Sequence, residues 1–236
     1  MHVHVGTSGY AYKEWRGSFY PEKIKDKDML RTYAERLRAV EINNTFYRLP
    51  GRETLLRWAE QVPEDFRFVL KASQRITHRQ KLGPESAETV AFLFDTARAL
   101  GERLGPVFFQ TPPFLRKDAG RLRAFLSALP PAHPVAFEFR HETWFDDEVY
   151  GILRARNAAL VAADKDEAGD AATPVVPTAD WGYLRLRRCD YDEAALAAWR
   201  ERILAQPWRF AYVFFKHEEG APLAWPLVSR FAESVR

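Results

Sequence analysis

With 236 residues, 47% of them hydrophobic, and 35 Lys and Arg against 32 Asp and Glu, the chain has the length and apolar content of one large α/β barrel or two small globular domains. A net charge of only +3 suits an anionic ligand without demanding nucleic acid. The single cysteine, Cys189, excludes an internal disulfide and a Cys-based zinc site. It suits a reducing cytoplasm, as do an N-terminus with no apolar signal core and the lack of any membrane-length apolar run, so no membrane partner is expected.

Eight short apolar or β-branched runs predict strands near residues 3–6, 39–43, 67–71, 106–110, 135–139, 160–163, 183–186 and 211–215. Helical stripes come between them: Leu55, Trp58, Ala59 and Val62; then Val90, Leu93, Phe94, Ala97, Leu100 and Leu104; then Leu122, Phe125, Leu126 and Leu129. Val149, Ile152 and Leu153 follow, then Leu196, Trp199 and Ile203, and last Leu227, Phe231 and Val235. Strand alternating with helix means a parallel sheet, and eight such units in this length favour a single closed (β/α)8 barrel over residues 1–236. An open doubly wound sheet would need a Gly-rich phosphate turn after its first strand, and Gly6-Thr7-Ser8-Gly9 has the wrong spacing. The acidic, Ala-rich stretch from Asp164 to Ala172 reads as an exposed loop.

Function in such a barrel sits where the strands end. Those ends carry Thr7, Ser8 and Tyr10; Glu41 and Asn43, with Asn44, Phe46 and Tyr47 beyond; Lys71 and Ser73, with Arg75, His78 and Arg79; and Gln110 before Pro112-Pro113. The list continues with Glu138, Arg140 and His141, then Asp164, then Arg185 and Arg187, then Lys216, His217 and Glu218. Alternation along the fifth strand points Glu138 and Arg140 one way, Phe137 and Phe139 the other. The first connection is long and rich in aromatics and cations, from Tyr10, Tyr12 and Trp15 through Phe19 and Tyr20 to Lys25. It is expected either to lie over the mouth as a lid or to be pinned by Trp15 and Phe19 to the body. His2 and His4, at the opposite end of the first strand, read as structural.

Several stretches together resemble the YecE-like family, a group of TIM-type barrels of unknown function. They are Val5-Gly6-Thr7-Ser8-Gly9-Tyr10 with Trp15-Arg16-Gly17-Ser18-Phe19-Tyr20-Pro21, and Val40-Glu41-Ile42-Asn43-Asn44-Thr45-Phe46-Tyr47. Phe68-Val69-Leu70-Lys71-Ala72-Ser73 with Ile76-Thr77-His78, Gly105-Pro106-Val107-Phe108-Phe109-Gln110-Thr111-Pro112-Pro113, and Phe137-Glu138-Phe139-Arg140-His141 complete the set. The resemblance covers nearly the whole chain and implies the same barrel, with no settled reaction. The chain departs from the family pattern at Arg187-Arg188, where a His-Gly pair is usual, and at Lys216-His217, where Asn residues are usual.

Three chemistries are open to this set. Glu41, Glu138 and Asp164 could converge on a divalent metal cofactor, with His78 or His141 completing the shell, unless Lys71 and Arg140 neutralise the carboxylates instead. Lys71 could be a Schiff-base amine, although neighbouring carboxylates should raise its pKa. Lys71, Arg75, Arg79, Arg140, Arg185 and Arg187 could bind a phosphate or carboxylate group, which is the favoured reading. The expected catalytic set is Glu138 as general acid or base of a hydrolase or isomerase, with Glu41, Lys71, His78 and Asp164; Tyr10, Trp15, Asn43, Tyr47, Gln110, Arg140 and Arg185 would hold the substrate. The alternatives are a nucleic-acid-binding protein, with Tyr10, Tyr12, Trp15 and Tyr47 stacking bases, with or without metal-assisted nuclease chemistry, and a non-catalytic small-ligand sensor.

Overall fold

The computed structural model describes residues 1–164, 173–188, 191–216 and 224–235. Cys189, the stretch 165–172, His217, Glu218 and the side chain of Leu227 lie outside the described part. The eight apolar runs form β1 (His2–Ser8), β2 (Ala39–Ile42), β3 (Arg67–Lys71), β4 (Leu104–Gln110), β5 (Val135–Glu138), β6 (Ala159–Asp164), β7 (Trp181–Leu186) and β8 (Phe210–Phe215). Each pairs in parallel with the next, and β8 pairs with β1 from His2↔Phe210 to Thr7↔Phe215, closing the barrel.

The expected helices form as α2 (Arg52–Glu60), α3 (Ala87–Ala97), α4 (Ala119–Ala128), α5 (Asp147–Ala155), α6 (Glu193–Leu204) and α7 (Ala224–Ser234). Aspartates start three of them: the side chains of Asp118, Asp146 and Asp192 accept from the backbone N–H of Arg121, Val149 and Ala195, satisfying donors that a helix start leaves orphaned. One helix, α1 (Met29–Arg36), is absent from the expected set. Its apolar face is Met29, Leu30, Tyr33 and Ala34, too short a stripe for its period to stand out. Among the described residues no helix is long and apolar enough to cross a membrane.

The two faces of the strands sort the core into layers. Val3, Val5, Val40, Ile42, Phe68, Leu70, Leu184, Leu186, Val213 and Phe215 pack outward among the helices. Val107, Phe109, Val135, Phe137, Phe139 and Leu160 do the same on the other side of the ring. The alternate residues, Ala39, Val69, Phe108, Ala136, Ala159, Val161, Trp181, Tyr183, Tyr212 and Phe214, fill the barrel itself. Gly6 shares that inner face and lies against the Ala39 carbonyl, where any Cβ would collide with backbone. At the N-terminal end, half-buried His4 stacks on Tyr212 with ring centroids 4.7 Å apart, and burial, His2 and Arg67 lower its pKa to about 3. It is a neutral packing residue.

Candidate functional site

Above the aromatic filling, the inward positions turn polar within one rung. Parallel pairing sets Ser8 beside Glu41 and Gln110 beside Glu138, and Arg185 enters from β7. Arg185 bridges the two acids: Nη2 donates to Glu41 Oε1 at 2.9 Å and Nη1 to Glu138 Oε2 at 2.7 Å. All three side chains are almost wholly buried. Glu41 also accepts from Ser8 Oγ at 2.8 Å, Asn43 Nδ2 at 3.1 Å and the Tyr183 hydroxyl at 2.6 Å; Glu138 accepts from Gln110 Nε2 at 2.8 Å.

Buried carboxylates this well supplied with donors stay ionised. Burial pushes the Glu138 carboxyl up, but the Arg185 and Arg187 guanidinia and the two hydrogen bonds together bring it down to about 2. Glu41 is likewise lowered, burial being outweighed by Arg185, Tyr183, Ser8 and Lys71. Burial alone would lower the Arg185 pKa, but the two carboxylates raise it instead. The guanidinium also lies 4.8 Å from the Phe108 ring centroid, so the polar rung rests directly on the apolar filling.

Lys71 ends β3 and donates to Gln110 Oε1 at 2.8 Å. The orientation of that amide follows from Glu138: an ionised carboxylate can only accept, so Nε2 faces it and Oε1 faces the lysine. No carboxylate lies within ion-pair distance of Lys71 Nζ among the described residues. Burial and Arg185 outweigh the acids and lower its pKa to about 8. This corrects the expectation that Glu41 and Glu138 would raise it. The Lys71 carbonyl is fixed by Thr45, whose hydroxyl reaches it at 2.7 Å from the turn after β2.

These groups floor a cavity of about 470 Å³ at the C-terminal mouth. Asn43, Lys71, Gln110, Arg140 and Arg185 line it, with Arg187 and Lys216 at the ends of β7 and β8. Ser8, Tyr12, Phe46, Tyr47 and His78 complete the wall. His78 belongs to a π-helical turn, Arg75–Arg79, a form concentrated at functional sites. Its Nδ1 is 2.8 Å from the Thr77 hydroxyl, its ring meets Phe46 edge-on, and burial, Lys71 and Arg140 lower its pKa. Lys71 Nζ is 4.6 Å from the centroid of the same Phe46 ring. Buried Arg185 Nε has no hydrogen-bond partner among the described residues.

Several sequence expectations need correcting. Asp164 sits at the end of β6 but on the outward set with Leu160 and Ala162; Ala163 holds the inward position. Its oxygens accept from the Arg187 backbone N–H and the Tyr191 hydroxyl, so it joins neither glutamate. Among the described residues no group of three or more His, Cys, Asp or Glu could hold a metal ion. The cation bridging the glutamates is Arg185, where Lys71 and Arg140 had been expected to neutralise them. Glu138, ionised and wholly buried, lacks both properties of a general acid or base: a pKa near neutrality and access to the cavity.

His141 caps the turn Glu142–Trp144 by accepting from the Thr143 N–H. Trp15 is 5% exposed and packs on Tyr12, Phe19 and Tyr20 within the loop, and Phe19 meets Tyr33 of α1, so the pair pins the first loop to the body. Tyr10 packs against Tyr33 and Trp58, away from the cavity lining. Of that loop, among the described residues, Tyr12 reaches the cavity, its hydroxyl donating to the Ser8 carbonyl. Tyr183, absent from the expected site, shares the inward face of β7 with Arg185 two residues on, a signal that strand alternation alone provides.

A family model described as "Protein of unknown function DUF72" matches residues 4–236. The chain belongs to the DUF72 family. Among curated relatives of this DUF72 chain, the UPF0759 protein YunF of Bacillus subtilis strain 168 is 25% identical over 187 residues, covering 74% of this chain and 64% of that protein. The UPF0759 protein YecE of Escherichia coli K12 is 34% identical over 117 residues, covering 49% of this chain and 43% of that protein. The matches therefore span less than two thirds of either relative's length. A DUF72 family protein of Thermotoga maritima MSB8, solved by crystallography, superposes with a TM-score of 0.85 at 25% identity, covering 99% of this chain and 98% of the other. One of Enterococcus faecalis V583 gives 0.82 at 18% identity, covering 99% and 94%, a likeness of fold alone.

Proposed function

We propose that this DUF72 barrel binds a small molecule through a phosphate or carboxylate group at its mouth. The observation that carries the reading is the rung beneath the cavity: two buried glutamates hold Arg185 in place, and its Nε–H lacks a hydrogen-bond partner among the described residues. A guanidinium fixed in this way is a preorganised anion donor. Lys71, Arg140, Arg187 and Lys216 line the same cavity, and among the described residues no acid lines it. Positive potential is thereby concentrated in one bowl on a chain of nearly balanced charge. A bowl favours a compact ligand over a polymer, which would want its cations strung along a groove. A cytoplasmic location belongs to the same reading, supported by a lone cysteine that suits a reducing environment.

Titration calorimetry with inorganic phosphate, pyrophosphate and citrate tests the reading. Binding of at least one that weakens with added salt, and is lost in Arg187→Gln, is expected. Failure of all three at low ionic strength would overturn it, and tighter binding of single-stranded oligonucleotides would favour the nucleic-acid alternative.

A further inference from the structure

The cavity contains an amine, Lys71, whose setting differs from that of Arg185 beside it. Arg185 is committed to two carboxylates, whereas the Lys71 hydrogen bond ends on a neutral amide oxygen 2.8 Å away. An ammonium beside a carboxylate is held in its charged form; one beside an amide is not. Phe46 covers one side of Nζ, and Arg185 lies nearby as a second cation. Burial with a neighbouring cation is the environment that turns a lysine into a nucleophile.

We propose that Lys71 is a covalent catalytic residue, condensing through Nζ with an aldehyde or ketone carbonyl of a phosphate- or carboxylate-bearing ligand. This rests on the anion-binding reading, since the anchored Arg185 and the rim cations orient the carbonyl toward the amine. The step is balanced within the pair. The nitrogen lone pair attacks the carbonyl carbon, and the π pair moves to oxygen. As the C=N bond forms, the C–O bond breaks, and both protons of the neutral amine depart with oxygen as water. No oxidant or co-reactant is required. At a pKa of about 8, roughly a tenth of the amine is neutral at pH 7, against a few parts in ten thousand for an ordinary lysine. His78, set against the same Phe46 ring, is a proton relay at the cavity wall.

Pyridoxal 5′-phosphate is a suitable probe, since it joins an aldehyde to a phosphate. The full-length chain is incubated with it and reduced with borohydride, whose hydride converts the imine into a stable secondary amine; the modified lysine is then located by peptide mass spectrometry. The expected result is modification at Lys71 ahead of the other lysines, suppressed by inorganic phosphate, weaker with unphosphorylated pyridoxal, and rising with pH through about 8. Lys71→Arg keeps the charge, so it should still bind phosphate by calorimetry while losing the adduct. Phosphate binding without a Lys71 adduct would overturn the imine and leave anion binding standing. No phosphate binding and no adduct would remove both. Modification spread evenly over surface lysines would count against the imine alone. Circular dichroism confirms that each variant is folded before it is scored.

Discussion

Replacing Arg185 by Met puts the buried charge rung to a quantitative test. The guanidinium supplies one donor to each glutamate; without it Glu41 retains Ser8, Asn43 and Tyr183, while Glu138 keeps Gln110 as its one side-chain donor among the described residues. Stranding a buried charge by removing its partner costs about 3–5 kcal/mol. At about 2–4 °C per kcal/mol for a chain of this size, Tm should fall by roughly 6 to 20 °C. The pH dependence carries the sharper signature. In the parent protein Glu138 is held at about 2, below its ordinary 4.5. Its contribution is therefore present above about 4.5 and lost as pH falls toward 2. In the variant, burial is opposed by Arg187 and the Gln110 hydrogen bond without the bridging guanidinium, and the folded pKa is expected to rise above the unfolded one. The sign reverses: the deficit is small in acid and grows as pH rises through that raised pKa. Thermal melts of both proteins at pH 4 and pH 8 measure it. Equal deficits at the two pH values would refute the argument, as would an Arg185→Met, Glu138→Gln double variant no more stable than the single one.

Other expectations follow from the same geometry. Because Lys71 is lowered from 10.5 to about 8, the unfolded chain holds a proton that the native one releases across that window, so stability rises with pH there. The rise, at most about 3 kcal/mol, should be absent from Lys71→Met and so appear in the difference between parent and variant in chemical denaturation. Tyr183→Phe removes the donor to Glu41 Oε2 and should destabilise by about 1–3 kcal/mol in the same assay. Trp15→Ala should cost about 3–5 kcal/mol yet leave phosphate affinity unchanged by calorimetry, separating a pin from a lid. Gly6→Ala drives a methyl into the Ala39 carbonyl and should cost about 3 kcal/mol or more, read as a lower Tm or lost soluble yield.

The barrel is legible in the sequence because each strand is a compact apolar run and each crossover a periodic stripe, so every strand lies within two residues of its expected ends. Which side chains face the cavity is legible to the extent that phase along a strand was counted. Glu41 with Asn43 and Glu138 with Arg140 share a phase, and Asn43 and Arg140 line the cavity above the two acids. Asp164 stands at a strand end but one residue out of phase with the inward set, and its oxygens meet the Arg187 N–H and the Tyr191 hydroxyl. The choice of Arg185 as the bridging cation could not be read. It reaches carboxylates 47 and 144 residues away, and which cation meets which acid depends on heights around a closed ring that no local pattern encodes. Of the two expectations for the first loop, lid or pin, Trp15 meets the second, and the sequence leaves them open because an aromatic in a loop carries no sign of whether it packs down or stands over an opening.

The aromatic and aliphatic plug below the charged rung has a further consequence. Val69, Phe108, Tyr183, Tyr212 and Phe214 stop the barrel from being a conduit, so the bowl is blind-ended. Whatever enters must back out by the same door. Solvent displaced on entry leaves past the incoming molecule, and departure is gated by the rim that admitted it. Selection for a guest of another size can therefore proceed at the rim and its loops, with the plug and the outer helices left as they are.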